Sequence, residues 1–152
     1  GFREAIRRYP DITVVEKTWY SDGIEGKAYR EALDILNKHK DINGIFGTNE
    51  KTVMGIARAI EERGLKDQIS LFGFDGNYEE VYYMEKDILS AVVVQRPFNM
   101  GYLGIKTVVE EARNGQKPQY IDTGCKLITK DNLFTPENNK LLFPLVNSGF
   151  KQ

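Results

Sequence analysis

The sequence predicts an α/β fold, a parallel sheet covered by helices on both faces. Three observations carry that expectation. Short apolar runs alternate with amphipathic segments throughout, in the order α-β-α-β-α-β-α-β-α-β, and such alternation calls for parallel strands joined by right-handed crossovers. The runs Ile69 to Phe74 and Leu89 to Val94 are apolar on both parities, the mark of a strand buried on both sides. No Gly-, Ser- or Pro-rich linker breaks the series, and 152 residues is an ordinary size for one domain.

Phe2, Ala5, Ile6 and Tyr9 recur at helical spacing, and Pro10 ends that helix. Ile12 to Val15 is β-branched and strand-like. Glu25 to Lys38 places Ala28, Ala32, Ile35 and Leu36 on one helical face. Ile42 to Phe46 reads as a strand weakened by Gly44. In Lys51 to Arg63 the residues Val53, Ile56, Ala57 and Ile60 keep helical register, and Gly64 suits the position just past the end. After strand 69–74 come a short helix over Tyr78 to Lys86 and a strand over Leu89 to Val94. A long helix then runs from Pro97 to Arg113, with proline at its start. Tyr120 to Ile128 is the last predicted strand, and beyond Thr129 the pattern dissolves into a polar, then apolar, tail.

Composition narrows the chemistry. With 21 basic against 22 acidic residues and a net charge of −1, no bulk field draws the chain onto nucleic acid or an anionic membrane. One cysteine, Cys125, excludes an internal disulfide and a four-cysteine zinc site, and one histidine, His39, disfavours zinc hydrolase and Ser-His-Asp schemes. The longest aliphatic stretch, Ala91 to Val94, is far too short for a bilayer. The chain opens on Gly1-Phe2-Arg3 without a signal segment or an initiator methionine, and reads as a fragment.

Parallel sheets bind ligands beyond the carboxyl ends of their strands. Those ends carry Asn49 after strand 42–46, Asp75 after strand 69–74, Gln95 after strand 89–94, and Trp19 and Tyr20 after strand 12–15. A carboxylate or amide can bond two neighbouring hydroxyls, and an aromatic ring can cover the apolar face of a sugar. The set therefore suits a neutral polyhydroxylated ligand. A phosphate would want a glycine-rich turn with Lys or Arg near it, whereas Gly73-Phe74-Asp75-Gly76 presents an anion. Each residue also has a plainer role: Asn49 as a helix N-cap, Asp75-Gly76 as a turn, Gln95 as a loop residue, Trp19 and Tyr20 as packing.

Asn49-Glu50 before a helix with Met54-Gly55, then Gly73-Phe74-Asp75-Gly76, then Val94-Gln95-Arg96-Pro97 with Met100-Gly101, resemble the type I periplasmic sugar-binding family. The ribose-binding proteins belong to it, and the effector domains of lactose-repressor-like regulators are related. Thr123-Gly124 through Thr129-Lys130-Asp131-Asn132 resembles that family's closing strand. The family usually has Asp at position 50, and its stacking aromatic falls near Gly23, so either Trp19 or Tyr20 takes over the stacking or the ligand is not a standard pentose.

The resemblance implies two α/β lobes joined by crossing strands and closing on a ligand by a hinge, with sugar hydroxyls held by Asn49, Asp75 and Gln95. Residues 1–95 would then form the second-lobe domain, 96–118 a helix crossing to an absent first lobe, 119–132 a returning strand, and 133–152 a C-terminal tail. It implies binding without catalysis, no cofactor and no metal. It also implies a sugar as ligand, a membrane permease or sensor component as the parent's partner, and a periplasmic or extracellular site, lipid-anchored or free. The alternative is the effector domain of a transcription regulator. An enzyme is disfavoured, because no nucleophile–base pair is visible. His39 lies in the polar run 37–41, and Cys125 falls within a predicted strand as a small packed residue. If the helix 97–113 lacks its lobe, its apolar face must fold back on the sheet or pair with a second copy.

Overall fold

A computed structural model describes residues 1–15, 18–115, 117 and 119–143. In chain order its elements are α1 (Phe2–Ile6), α2 (Glu25–Lys38), β1 (Gly44–Phe46), α3 (Glu50–Arg63), β2 (Ser70–Phe74), α4 (Tyr78–Glu85), β3 (Leu89–Gln95), α5 (Pro97–Asn114), β4 (Cys125–Thr129) and α6 (Pro136–Leu142). The sheet order is β1-β2-β3-β4.

The core is built around α3. Asn49 starts it by accepting the Thr52 N–H at 3.0 Å, and Gly64, at φ +63°, ends it in the left-handed conformation that glycine adopts without strain. Val53, Ile56, Ala57 and Ile60 are all buried. They pack beneath β2, while Ala28, Ala32, Ile35 and Leu36 of α2 close over α3 from outside. On the rim of that helix pair the Tyr29 hydroxyl donates to Glu62, and the Arg58 guanidinium sits 4.5 Å above the Tyr29 ring. The α4 helix covers β3.

β1, β2 and β3 run parallel, as the alternation predicts, but β4 pairs antiparallel with β3, Gln95 opposite Cys125 and Ala91 opposite Thr129. The reason lies in α5, which has no buried residue. A parallel neighbour needs a helix that packs back across the sheet. Here the helix leaves the sheet edge instead, and the chain re-enters at that same edge, beside Gln95. The register also separates the two faces. Leu71, Gly73, Val92 and Ile128 lie under α3 and α4, whereas Phe72 and Leu127 on the other face are 43% and 58% exposed. Phe2 of α1 stacks on Phe46 of that second face, ring centroids 5.2 Å apart.

Three further expectations are corrected. Residues 12–15 are not a strand, having no neighbouring strand among the described residues to pair with. Cys125 is exposed rather than packed, because it begins β4 on the open face. The tail is not patternless. Residues 136–142 form α6, started by Thr135 and Pro136, and it buries Asn138 and Leu142. The Asn138 Nδ2 donates to the Asn132 carbonyl at 2.8 Å and to Asn132 Oδ1 at 3.0 Å, tying the helix to the end of β4. The remainder of the expected tail, 144–152, lies outside the described residues.

Gly55 marks where α2 crosses α3. A Cβ there would stand 2.5 Å from the Glu25 carbonyl oxygen and 2.6 Å from the Tyr29 nitrogen. Alanine is worth about 1 kcal/mol over glycine in a helix, but a clash with fixed backbone costs about 1–3 kcal/mol. Gly55→Ala is therefore expected to lower the urea unfolding midpoint, and an unchanged or raised midpoint would show that the two helices do not meet there.

Candidate functional site

The three polar residues foreseen at successive strand ends come together. Asp75 is the centre of the group. Its Oδ1 accepts the Gln95 Nε2 at 2.7 Å, and its Oδ2 accepts the Glu50 N–H, the first amide of α3, at 3.3 Å. Asn49 stands next to Glu50 and uses Oδ1 to cap α3, so its Nδ2 takes no part in the cap. The plainer roles of Asn49 as a cap and of Asp75-Gly76 as a turn are thus both real, and the same two roles set the rim. All three side chains are partly exposed.

The backbone holds the rim closely. Gly47 N–H donates to the Phe72 carbonyl and Asp75 N–H to the Val93 carbonyl, so backbone bonds run to within two residues of Asn49 and to Asp75 itself. Asp75 has φ +98° and Gly76 φ +103°. A non-glycine residue in that region is strained by about 1–3 kcal/mol and persists only where its surroundings enforce it. Gly76 is confined twice over, since a Cβ there would lie 2.7 Å from Val94 Cγ2 and 3.1 Å from Leu142 Cδ2.

Trp19 does not join the rim. Its ring meets His39 edge-on, centroids 5.8 Å apart, and His39 follows the end of α2 that leads into β1, the opposite end of that strand from Asn49. Tyr20 is 71% exposed and precedes Ser21, whose hydroxyl hydrogen-bonds the Thr52 hydroxyl at 2.6 Å in the first turn of α3, the turn that Asn49 caps. No strand at 12–15 leads to either residue. Two aromatic side chains, Phe74 and the exposed Tyr120, line a cavity with Gln95. With Met100, Leu103, Ile121 and Cys125 they bound an open space of about 590 Å³ between α5 and the approach to β4. Phe74 is the last residue of an apolar run, and nothing in the sequence sets it apart from a core position.

A second carboxylate, missed in the sequence, lies under the rim. Glu80, in the first turn of α4, is fully buried. Its Oε2 accepts the Gly76 N–H at 2.7 Å, and its Oε1 has no hydrogen-bond partner among the described residues. Asn77 caps the same helix, accepting the Glu80 N–H at 2.7 Å. The spacing Asn77-x-x-Glu80 is that of a capping box, which was the available signal; burial is what the spacing does not reveal. Burial pushes the Glu80 carboxyl up to about 8, against the pull of the Gly76 and Asn77 amides, and the neighbouring Glu50 and Asp75 charges raise it further.

Among the described residues no His, Cys, Asp and Glu cluster could hold a metal ion, and no helix is long and apolar enough to cross a membrane.

Comparison with known proteins places this geometry. Residues 1–117 match the family model described as a periplasmic binding protein domain. The D-allose-binding periplasmic protein of Escherichia coli K12 is 28% identical over 76% of this chain and 37% of its own length. The ribose import binding protein of the same organism is 26% identical over 78% of this chain and 39% of its own. Among solved structures, an ABC transporter solute binding protein from Agrobacterium vitis with bound D-fucose superposes with a TM-score of 0.86 at 32% identity, covering 93% of this chain and 49% of that one. A carbohydrate transporter solute binding protein from Agrobacterium radiobacter, in complex with D-arabinose, gives 0.85 at 31% identity, covering 93% and 48%. The chain spans about two-fifths of the length of these curated relatives and half that of the solved structures.

The buried acid gives a pH dependence with a definite sign. A carboxyl at about 8 in the folded chain and near 4.5 in the unfolded one keeps its proton only when folded, between those values. Stability from this group is complete below pH 4.5 and is lost as pH rises through 8, by about 3–5 kcal/mol in all. Glu80→Gln, which mimics the neutral acid, is expected to remove that slope in denaturation series from pH 5 to 9. Parallel curves for the two proteins would mean that Glu80 ionises freely in the fold.

Proposed function

The chain belongs to the periplasmic binding protein family, and from that premise we propose that it forms the second-lobe part of a receptor that binds a small polyhydroxylated ligand, a sugar, without catalysis. The observation that carries this reading is the rim: the Asp75 carboxylate bonded to Gln95 and to the first amide of α3, the helix that Asn49 caps, so that three strand ends meet at one edge of the sheet. Asp75 accepts hydroxyl protons, while Asn49 and Gln95 each donate and accept. Hydrogen bonds to the charged partner are worth about 1.5–3 kcal/mol each. Phe74 and the cavity beside Gln95 offer an apolar wall to the C–H face of such a ligand. Trp19 has no part in this reading, whereas the exposed Tyr20, next to Ser21 at the first turn of α3, remains a candidate for the stacking ring.

Residues 1–95 are the second-lobe domain in this reading and 119–132 return to it, joined by 133–143 through α6. The segment 96–118, mostly α5, is the part that crosses to a first lobe. The exposed Phe98, Ile105 and Val108 of α5, 62–78% accessible, support that assignment, because an apolar helical face of this length is stable in water only when something covers it. The parent protein delivers its ligand to an ABC-type permease or a sensor from a periplasmic or extracellular position, free or lipid-anchored. The names of its relatives support an import receptor over a transcription regulator.

Two measurements test this. In a two-lobed protein carrying this sequence, Asp75→Ala is expected to weaken binding of its sugar at least about tenfold by calorimetric titration, near 1.4 kcal/mol; an unchanged isotherm would remove Asp75 from the site. In the chain alone, sedimentation is expected to show self-association through α5 that Ile105→Glu abolishes. A monomer that binds no apolar dye would show the helix face already covered.

A further inference from the structure

The fully buried Glu80 lies one layer beneath a rim whose central residue is strained, and nothing in the proposed sugar contacts uses it. We propose that Glu80 is a positioning residue for Asp75, seating the Asp75–Gly76 turn as a neutral acid and releasing that turn when it ionises. The proposal rests on the sugar reading only for what Asp75 holds.

Asp75 and Gly76 both have positive φ, a conformation that Asp75 leaves unless the next peptide is pinned. The pin is one hydrogen bond, from the Gly76 N–H to Glu80 Oε2. Glu80 is itself fixed, since α4 begins at Asn77 and the Asn77 side chain accepts the Glu80 N–H. Above the turn, Val94 of β3 and Leu142 of α6 approach Gly76 so closely that no side chain fits, so the turn cannot simply slide upward. Cap, acid and lid therefore leave Asp75 one orientation, in which its carboxylate meets both Gln95 and the start of α3.

The same enclosure makes the acid's charge matter. Oε1 points at Gly73 of β2, within 3.3 Å of where a Cβ there would lie, in a space shared with Val53 of α3 and Leu89 of β3. Those neighbours, and Leu142 of α6, carry no charge. The charged groups acting on Glu80 are Glu50 at the start of α3 and Asp75 in the turn, both like in sign. An ionised Glu80 thus has a desolvated oxygen, two repelling carboxylates and no compensating cation in this set. Its relief is to swing toward water. That movement gives up the Gly76 bond, and Asp75 then relaxes out of its strained backbone and away from Gln95. Acid in the buried position and order at the rim are linked, and each favours the other.

The test follows the Gly76 amide by nitrogen-15 NMR in the whole chain from pH 5.5 to 9.5. The expected result is a single shift transition centred near pH 8, accompanied by a rise of about tenfold or more in Gly76 amide exchange beyond the intrinsic pH effect. The Gln95 side-chain amide should follow the same transition as its bond to Asp75 loosens. Glu80→Gln is expected to keep the low-pH shifts across the range, and Glu80→Ala to show the released pattern at every pH. A Gly76 amide that does not titrate, or one that still titrates in the Glu80→Gln variant, overturns the proposal even where the alanine variant fails to fold. The readout needs no sugar. If, in a two-lobed protein carrying this sequence, millimolar D-arabinose and D-fucose leave the Asn49 and Gln95 side-chain amides unmoved while Gly76 titrates as described, the sugar reading is weakened and the positioning role stands. If Gly76 fails to titrate, the role falls whatever the sugars do.

Discussion

The carboxylate of Asp75 joins parts of the fold that are otherwise separate at this edge. β2 delivers it, β3 reaches it through Gln95, and α3 reaches it through its first amide. A helix start carries partial positive charge and unsatisfied N–H groups, so an anion placed there is stabilised while it completes the helix. That is why one residue can be a structural cap and a binding head at once. The rim needs no separate scaffold, because the bonds that finish α3 and close β2 onto β3 also aim the side chains.

Below that rim the molecule divides sharply. The face of the sheet under α3 and α4 is a dense apolar layer with Val53, Ala57, Ile60, Leu71 and Ile128 wholly out of water. The face carrying Phe72 and Leu127 is open, and α5 exposes its apolar side. Burying a leucine or phenylalanine is worth about 1.5–3 kcal/mol, so several such side chains left in water form a considerable unmet driving force. The imbalance lies on the α5 side of the sheet, next to the cavity that Phe74 and Gln95 line. Under the proposed reading this is where the first lobe would meet the second, and the apolar surface and the ligand edge adjoin for that reason.

Local rules made much of this legible. The helices α2, α3 and α4 follow the 3.6-residue spacing of Ala28, Ala32, Leu36, Val53, Ile60, Val81 and Met84, and their ends obey cap chemistry at Asn49, Gly64 and Asn77. The meeting of Asn49, Asp75 and Gln95 follows from the parallel order of β1, β2 and β3, because parallel strands end at one edge. What escaped was decided by long-range pairing. Residues 12–15 have strand composition, yet a strand exists only beside another. β4 has ordinary strand composition, and its antiparallel direction depends on where α5 does not pack. In α6, Asn138 and Leu142 are a polar and an apolar residue of a short segment, buried because Asn132 and the Gly76 turn receive them. Glu80 follows the same logic: Glu79-Glu80 reads as an acidic first turn favoured by the helix dipole, and only the closure of β2, β3 and α3 around it makes it an interior acid.

Asp75 and Glu80 sit at the two ends of one turn and differ because of what surrounds them. Asp75 is half in water with two N–H donors aimed at it, an environment suited to an anion. Glu80 is drawn on by the Gly76 and Asn77 amides but sits fully buried among aliphatic carbon, and burial outweighs them, an environment suited to a neutral acid. Had both been charged, two like carboxylates so near one another would oppose the compact turn. Had both been neutral, the rim would lose the acceptor that gives hydroxyl binding its strength. The difference in surroundings, donors and water at Asp75 against burial at Glu80, lets a strained backbone, a polar head and a closed core coexist within six residues. It also explains why Gln95 can lie against Asp75 without emptying the site: its Nε2 occupies one lone-pair direction of Oδ1, and a carboxylate has about four, so directions remain for hydroxyl protons while the amide oxygen of Gln95 can accept another.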